Sequence, residues 1–234
     1  MLPRKTLSGS PVAARVVPFF VFLALTFCQG KFGPASAYWF YLAKTLVGLW
    51  LVLAVRPLVT EMRWAFSWEA VLVGVGVFGI WVGISSEWTT QSSLWVKLGL
   101  SHPPEKLAAA WNPNEQFGVG SALTWLFIST RILGSTFIVP PLEEIFYRSF
   151  LYRYFAIQNF LSVPLNRFLP RPFLITALIF GISHNEWLAG ILCGAAYQWL
   201  VLRKNRLGDA MTAHAITNFL LGLWVVTRGA WPFW

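Results

Sequence analysis

Runs of apolar residues approaching the ~20 needed to cross a bilayer recur from one end of this chain to the other, and no feature limits its fold more. Of its 234 residues 56% are hydrophobic and only 12% charged, with a mean hydropathy of +0.59; an ordinary soluble domain is about 25% charged. Disorder is thereby excluded, and the composition argues against a water-soluble globule. The 14 Trp, 20 Phe and 6 Tyr suit membrane packing and interfacial belts. The length has room for six to eight spans, and the reading is an all-α, polytopic transmembrane helical bundle of about seven to eight membrane helices.

Apolar runs bounded by charges, Pro or Gly place spans at Val16–Cys28, Tyr38–Val55, Ala70–Ile84, Ala122–Val139, Leu142–Phe155, Phe173–Ser183, Trp187–Leu202 and Ala210–Val226. The first run follows Arg4, Lys5 and Arg15 and resembles a signal peptide, but it lacks a small-x-small cleavage site and is expected to stay as a span. Residues 85–118 carry Glu87, Lys97, Glu105, Lys106 and Glu115 with Pro103, Pro104 and Pro113. They form the one long polar connection, with a short interfacial helix expected near Leu94–Leu100 and a solvated His102. Neither a repeat nor a hydrophilic domain is visible. The chain therefore reads as one integral-membrane domain, 1–234, with spans and a polar loop in 1–118 and a core in 119–234.

The net charge of +9 comes from 18 Lys and Arg against 9 Asp and Glu, set singly or in small groups between apolar runs. Such spacing orients spans and does not make a nucleic-acid surface. Arg4, Lys5 and Arg15, then Arg56 and Arg63, then Arg203, Lys204 and Arg206 are expected on the cytoplasmic side. Satisfying all three groups depends on whether the Leu142 helix crosses the membrane or dips and returns. Cys28 and Cys193 lie in apolar runs outside any CxxC pattern and suggest neither a disulfide nor a zinc site.

Pro140 and Pro141 should interrupt the helix before them and start a new one, with Glu143 and Glu144 in its first turn. Ionisable groups in apolar helices cost something like 2.5 to 3.5 kcal/mol each on insertion scales, so each needs a partner or a task. Three segments concentrate them: Glu143, Glu144 and Arg148; His184; and His214 with Asn218. Glu144 and Arg148, four apart, can pair on one helix face. Glu143 then lacks a local partner and suits a general base acting on water. His214 and Asn218, one turn apart, can donate to an oxyanion, and His184 can orient the water or pass on its proton. Alone, each of these residues is more often structural than functional; the set on three helices argues against that reading.

The Glu-Glu-x-x-x-Arg of Glu143, Glu144 and Arg148, the Phe-x-x-x-His of Phe180 and His184, and the His-x-x-x-Asn of His214 and Asn218 resemble the CPBP family in order and spacing. That family comprises the type II CAAX prenyl endopeptidases similar to Rce1 and bacterial relatives also called abortive-infection proteins. The resemblance covers roughly Pro140–Val226. It implies an intramembrane endopeptidase in which Glu143 and His184 activate water and His214 and Asn218 hold the oxyanion. Glu144 and Arg148 would organise the site, with Glu144 able to share the base role. It also implies a glutamate mechanism with no cofactor. Two His and two Glu are acceptable zinc ligands, but the HExxH spacing of common zinc proteases is absent.

The VPPLEE lead-in and the many tryptophans are similar to the bacterial CAAX-protease-related group that accompanies exosortase-type sorting. That likeness implies a multi-pass protein of the bacterial inner membrane. Its partners would be membrane lipids, a membrane-associated protein or sorting-signal peptide as substrate, exosortase-type machinery, and no nucleic acid. From the residues alone, a non-catalytic scaffold and a proton-coupled transporter stay open.

Arg131 and Lys44 sit inside expected spans, where they either snorkel or pair; Arg131 could also contact a substrate carboxylate or a lipid phosphate. Glu186 could orient His184 or serve as a helix N-terminal acid. Gly74, Gly76, Gly79 and Gly83 on one span allow close helix contact.

Overall fold

The computed structural model describes residues 7, 9–85, 89–102 and 110–234. Arg4, Lys5, Glu87, Pro103, Pro104, Glu105 and Lys106 lie outside the described residues. All regular structure described is helical, and an isolated bridge between Thr90 and Glu186 is the sole strand-like pairing among those residues. The protein is an all-α membrane chain. Among the described residues, three helical runs are long and apolar enough to cross a bilayer, Ser36–Val55, Ala122–Tyr154 and Gly208–Arg228, while Pro11–Phe27, Trp68–Ile84 and Pro170–Ile182 are shorter apolar helices.

Among the described residues the α-helices of five residues or more are α1 Pro11–Phe27, α2 Ser36–Val55, α3 Trp68–Ile84, α4 Gln91–Lys97, α5 Pro113–Phe117, α6 Ala122–Phe137, α7 Val139–Glu144, α8 Pro170–Ile182, α9 Trp187–Lys204 and α10 Gly208–Arg228. They sort into two compact units: Met1–Arg63, Ala110–Phe146 and Asn218–Trp234, and Trp64–Ala109 with Tyr147–Thr217.

In the first unit, Ser10 caps α1 by accepting from the Ala13 amide, with Pro11 at the first helical position, where its missing donor costs nothing. The hairpin of α1 and α2 is tied at its open end by Arg15, which donates to Glu61 at 2.8 Å. Arg15 is therefore a buried structural cation, 4% exposed, as well as a flank of the first span. Helix α6 packs on α2, and Ser121 caps it through the Thr124 amide. Tyr38, Tyr41, Trp111 and Phe127 form an aromatic core beneath α5 and α6.

The two prolines act otherwise than the sequence suggests. Helix α6 ends at Ile138, which stays right-handed (φ −105°, ψ −42°), so α7 follows with no loop and the two expected spans become one run, Ala122–Tyr154. Because Pro140 falls in the opening turn of α7, Glu143 and Glu144 are its last residues and not its first turn. Directly after them, Ile145–Leu151 widens into a π-helical turn, a form rare in general and common near functional sites.

The second unit crosses α8 on α9 at glycine. A Cβ on Gly181 would lie 2.7 Å from both the Ile191 nitrogen and the Trp187 carbonyl, and one on Gly190 would lie 2.8 Å from the Gly181 Cα. Helix α9 also packs on α3 and stops at Asn205, held at φ 52°. Of the four glycines on α3, Gly74 alone makes the expected close contact, its Cβ position lying 2.7 Å from the Ala213 carbonyl. Gly76, Gly79 and Gly83 face open space. Lys204 donates to Glu69 at 2.7 Å, joining the start of α3 to the end of α9.

Candidate active site

The second unit gathers three of the expected residues around one ring. The Phe180 side chain, fully buried on α8, has the Arg148 guanidinium carbon 4.3 Å from its centroid, the His184 ring at 4.4 Å and the His214 ring at 6.2 Å. Arg148 is itself fully buried and donates to the Gly194 carbonyl at 3.3 Å. Cation–π contact with Phe180, Tyr147 and Tyr197 offsets part of the cost of holding that charge away from water.

His184 follows the end of α8 and turns back on it. Its Nδ1 lies 2.6 Å from the Phe180 carbonyl oxygen, an atom that can only accept, so Nδ1 carries the proton. In the neutral ring Nε2 is then the acceptor nitrogen, the form a base requires. Ser183 donates to the same carbonyl at 2.8 Å and sits 3.3 Å from Nδ1; with its proton so placed, it accepts from the Tyr147 hydroxyl at 3.0 Å. Trp81 meets the imidazole edge-on at 5.7 Å. His214, 4% exposed, stacks on Tyr197 at 5.1 Å, and the Tyr197 hydroxyl donates to Thr217, which donates to the Gly74 carbonyl.

Tyr147, Ser183, Tyr197 and Thr217 were not singled out in the sequence. Tyr147 is adjacent to Arg148 and Ser183 to His184, but common residues on apolar helices carry no signal until their partners are known. Glu186 makes no bond to His184: its carboxylate accepts from Thr89 at 3.2 Å. Burial raises the Glu186 pKa above the ordinary carboxylate value, against the opposing hydrogen bonds from Thr89 and Ser85.

Glu143, Glu144 and Asn218 belong to the first unit. Glu144 is fully buried and Glu143 half-buried at the end of α7. Lys44 of α2 is close enough to Glu143 for the two charges to act on each other. Lys44 does not snorkel. It is 6% exposed, donates to Thr26 at 3.1 Å and lies over the rings of Tyr41 and Phe22 at 4.4 and 4.8 Å. Asn218 spends one amide proton on the Ser135 carbonyl at 2.8 Å, which fixes its side chain and leaves the second proton to donate. Among the described residues, no three His, Cys, Asp or Glu side chains converge as a metal-holding group.

Residues 124–220 match the family described as Type II CAAX prenyl endopeptidase Rce1-like. No curated protein and no solved structure matches the chain. The matched segment takes in α6 to α10 up to Leu220, and so all six expected site residues and Arg131, while the first 123 residues fall outside it. Residues 124–220 thus resemble an Rce1-like type II CAAX prenyl endopeptidase domain, in a chain whose long apolar helices mark it as a membrane protein.

Proposed function

We propose that the protein is an intramembrane endopeptidase that hydrolyses a peptide bond of a membrane-associated protein or C-terminal-signal peptide by glutamate- and histidine-activated water. Glu143 takes a proton from water, His184 serves as a second acceptor, and the hydroxide adds to the scissile carbonyl carbon. His214 and Asn218 donate to the oxyanion. As the tetrahedral adduct collapses, the C–N bond breaks and the proton returns to the departing amine. Glu144 and Arg148 hold the frame. The observation that supports this reading is the Nδ1–H of His184 on the Phe180 carbonyl, which makes Nε2 the acceptor nitrogen whenever the ring is neutral.

Metal independence, a bacterial inner-membrane location and a partner in exosortase-type sorting are finer parts of the same proposal. The test compares the termini of all membrane proteins in cells carrying wild type or Glu143→Gln, at matched expression and thermal stability. Termini found only with wild type name the substrate. Identical termini from two equally folded proteins defeat the proposal, and a chelator that abolishes cleavage defeats the metal-free mechanism.

A further inference from the structure

The family match begins at residue 124, yet the unit that holds His184 also takes in residues 64–109. Helix α3 and the residues after it therefore come to the imidazole from outside the matched segment. Trp81, in the last turn of α3, meets the His184 ring edge-on at 5.7 Å. Four residues on, the Ser85 hydroxyl lies between the Trp81 carbonyl and the Glu186 carboxylate, and the Thr89 hydroxyl donates to that carboxylate at 3.2 Å. Thr90 and Glu186 also pair through their backbones as an antiparallel bridge.

His184 sits in the short turn between α8 and α9, where backbone outside a regular helix has the most room to shift. Its near side is tied to α8: the Ser183 amide donates to Ile179, the His184 amide to Gly181, and Nδ1–H to the Phe180 carbonyl. Glu186 is the tie on the far side, two residues past the imidazole and one before α9. It closes a ring of contacts that runs from the His184 imidazole to Trp81, Ser85 and Glu186 and back along the chain. Glu186 and Thr89 are each 9% exposed. A carboxylate buried so far costs stability that an apolar side chain of similar volume would not, so packing alone gives no reason for it here. Its two oxygens do what no apolar group can: they accept from two hydroxyls at once and fix the turn in direction as well as in place.

We propose that Glu186, clasped by Thr89 and Ser85, is a positioning residue for His184. The clasp brings the N-terminal half of the chain, which the family match leaves out, into the reaction proposed above, on which this inference rests. It acts through the imidazole, and its effect belongs in the rate of the chemical step, because an ångström of misplacement at a reacting group can cost about a hundredfold.

The test uses full-length protein in detergent, with isotopically labelled histidine for magnetic resonance and, for kinetics, the substrate named by the comparison of termini. Glu186→Ala and Thr89→Val should each lower kcat at least tenfold with KM within twofold of wild type, and together should lower it no further than the worse of the two. Glu186→Gln keeps an acceptor oxygen and Thr89→Ser a hydroxyl, so both should recover most of the loss. The Nδ1–H resonance of His184, assigned by its disappearance in His184→Ala, should shift or broaden in Glu186→Ala while the signals of His214 stay in place. Thr89→Val is isosteric and reads the clasp by both measurements even where Glu186→Ala does not fold. Wild-type kcat in the folded variants overturns the proposal, as do an equal fall in Glu186→Gln and Glu186→Ala, and an unmoved His184 signal. If the His184 signal moves while wild type cleaves nothing, the protease reading fails and the clasp stands. If wild type cleaves and the folded clasp variants cleave as fast, the clasp fails alone.

Discussion

His184 is bonded through Nδ1 to the carbonyl of Phe180, the residue one helical turn before it, and the ring of that same Phe180 carries Arg148 and faces His214. Backbone and side chain of one residue thus set the tautomer of one histidine and the packing of two other polar groups. Ser183 and Tyr147 complete the cradle at 2.8 and 3.0 Å.

The cradle should act on rate. Ser183→Ala removes the hydroxyl shared by Phe180, His184 and Tyr147, and Tyr147→Phe removes only its donor. With the substrate named by the termini comparison, Ser183→Ala should lower kcat by about tenfold, the effect of roughly one net hydrogen bond of 1.4 kcal/mol or less, with KM unchanged and Tyr147→Phe falling between it and wild type. An effect confined to KM would assign the pair to substrate binding.

Arg15 and Glu61 give a stability test away from the site. Glu61→Gln leaves a cation that is 4% exposed without its 2.8 Å partner, and breaking a buried pair costs about 3 to 5 kcal/mol. Arg15→Met with Glu61→Gln should recover most of that loss. Thermal melts in detergent read both; a double variant as unstable as the single one would show that Arg15 acts through packing alone.

Glycine at the α8 and α9 crossing should be irreplaceable. Gly181→Ala drives a methyl onto the backbone of Ile191 and Trp187, and overpacking of this kind costs about 1 to 3 kcal/mol. Gly76→Ala, with open space at its Cβ, should instead gain about 0.5 to 1 kcal/mol from helix propensity. The two melts should move in opposite directions.

Glu186 should make stability fall as pH rises. Its folded pKa lies above the unfolded value because burial disfavours the charge. Its contribution is therefore fully present below the unfolded value of about 4.3, and is lost as pH climbs through the raised folded value. Glu186→Gln should raise the melting temperature at pH 7 and change little at pH 4. A variant less stable than wild type at pH 7 would show that the bond from Thr89 outweighs the cost of burial.

Much of the fold can be read locally, because a span is a local property. The starts and stops of α2, α3, α8 and α9 lie within a few residues of the apolar runs, and the short helix expected near Leu94 is there as α4. Pro140 and Pro141 mislead because a proline in the opening turn of a helix removes donors that had no partner, so it need not bend the chain. The π-helical turn after Glu144 has no periodic signature and could not be foreseen.

The sequence by itself determined that this is a helical membrane chain, which residues are too polar to lie in it by accident, and the family likeness of residues 124–220. Those conclusions need only composition, run length and the cost of an ionisable group in an apolar helix. Tertiary structure decided what each of those residues meets. It brought Glu143 near Lys44 across nearly a hundred residues, set Arg131 among Tyr41, Trp111 and Trp234, and turned Phe180 into the common neighbour of Arg148, His184 and His214. Hydrogen bonds and cation–π contacts act over a few ångströms, and only the packed helices fix which distant residues come that close.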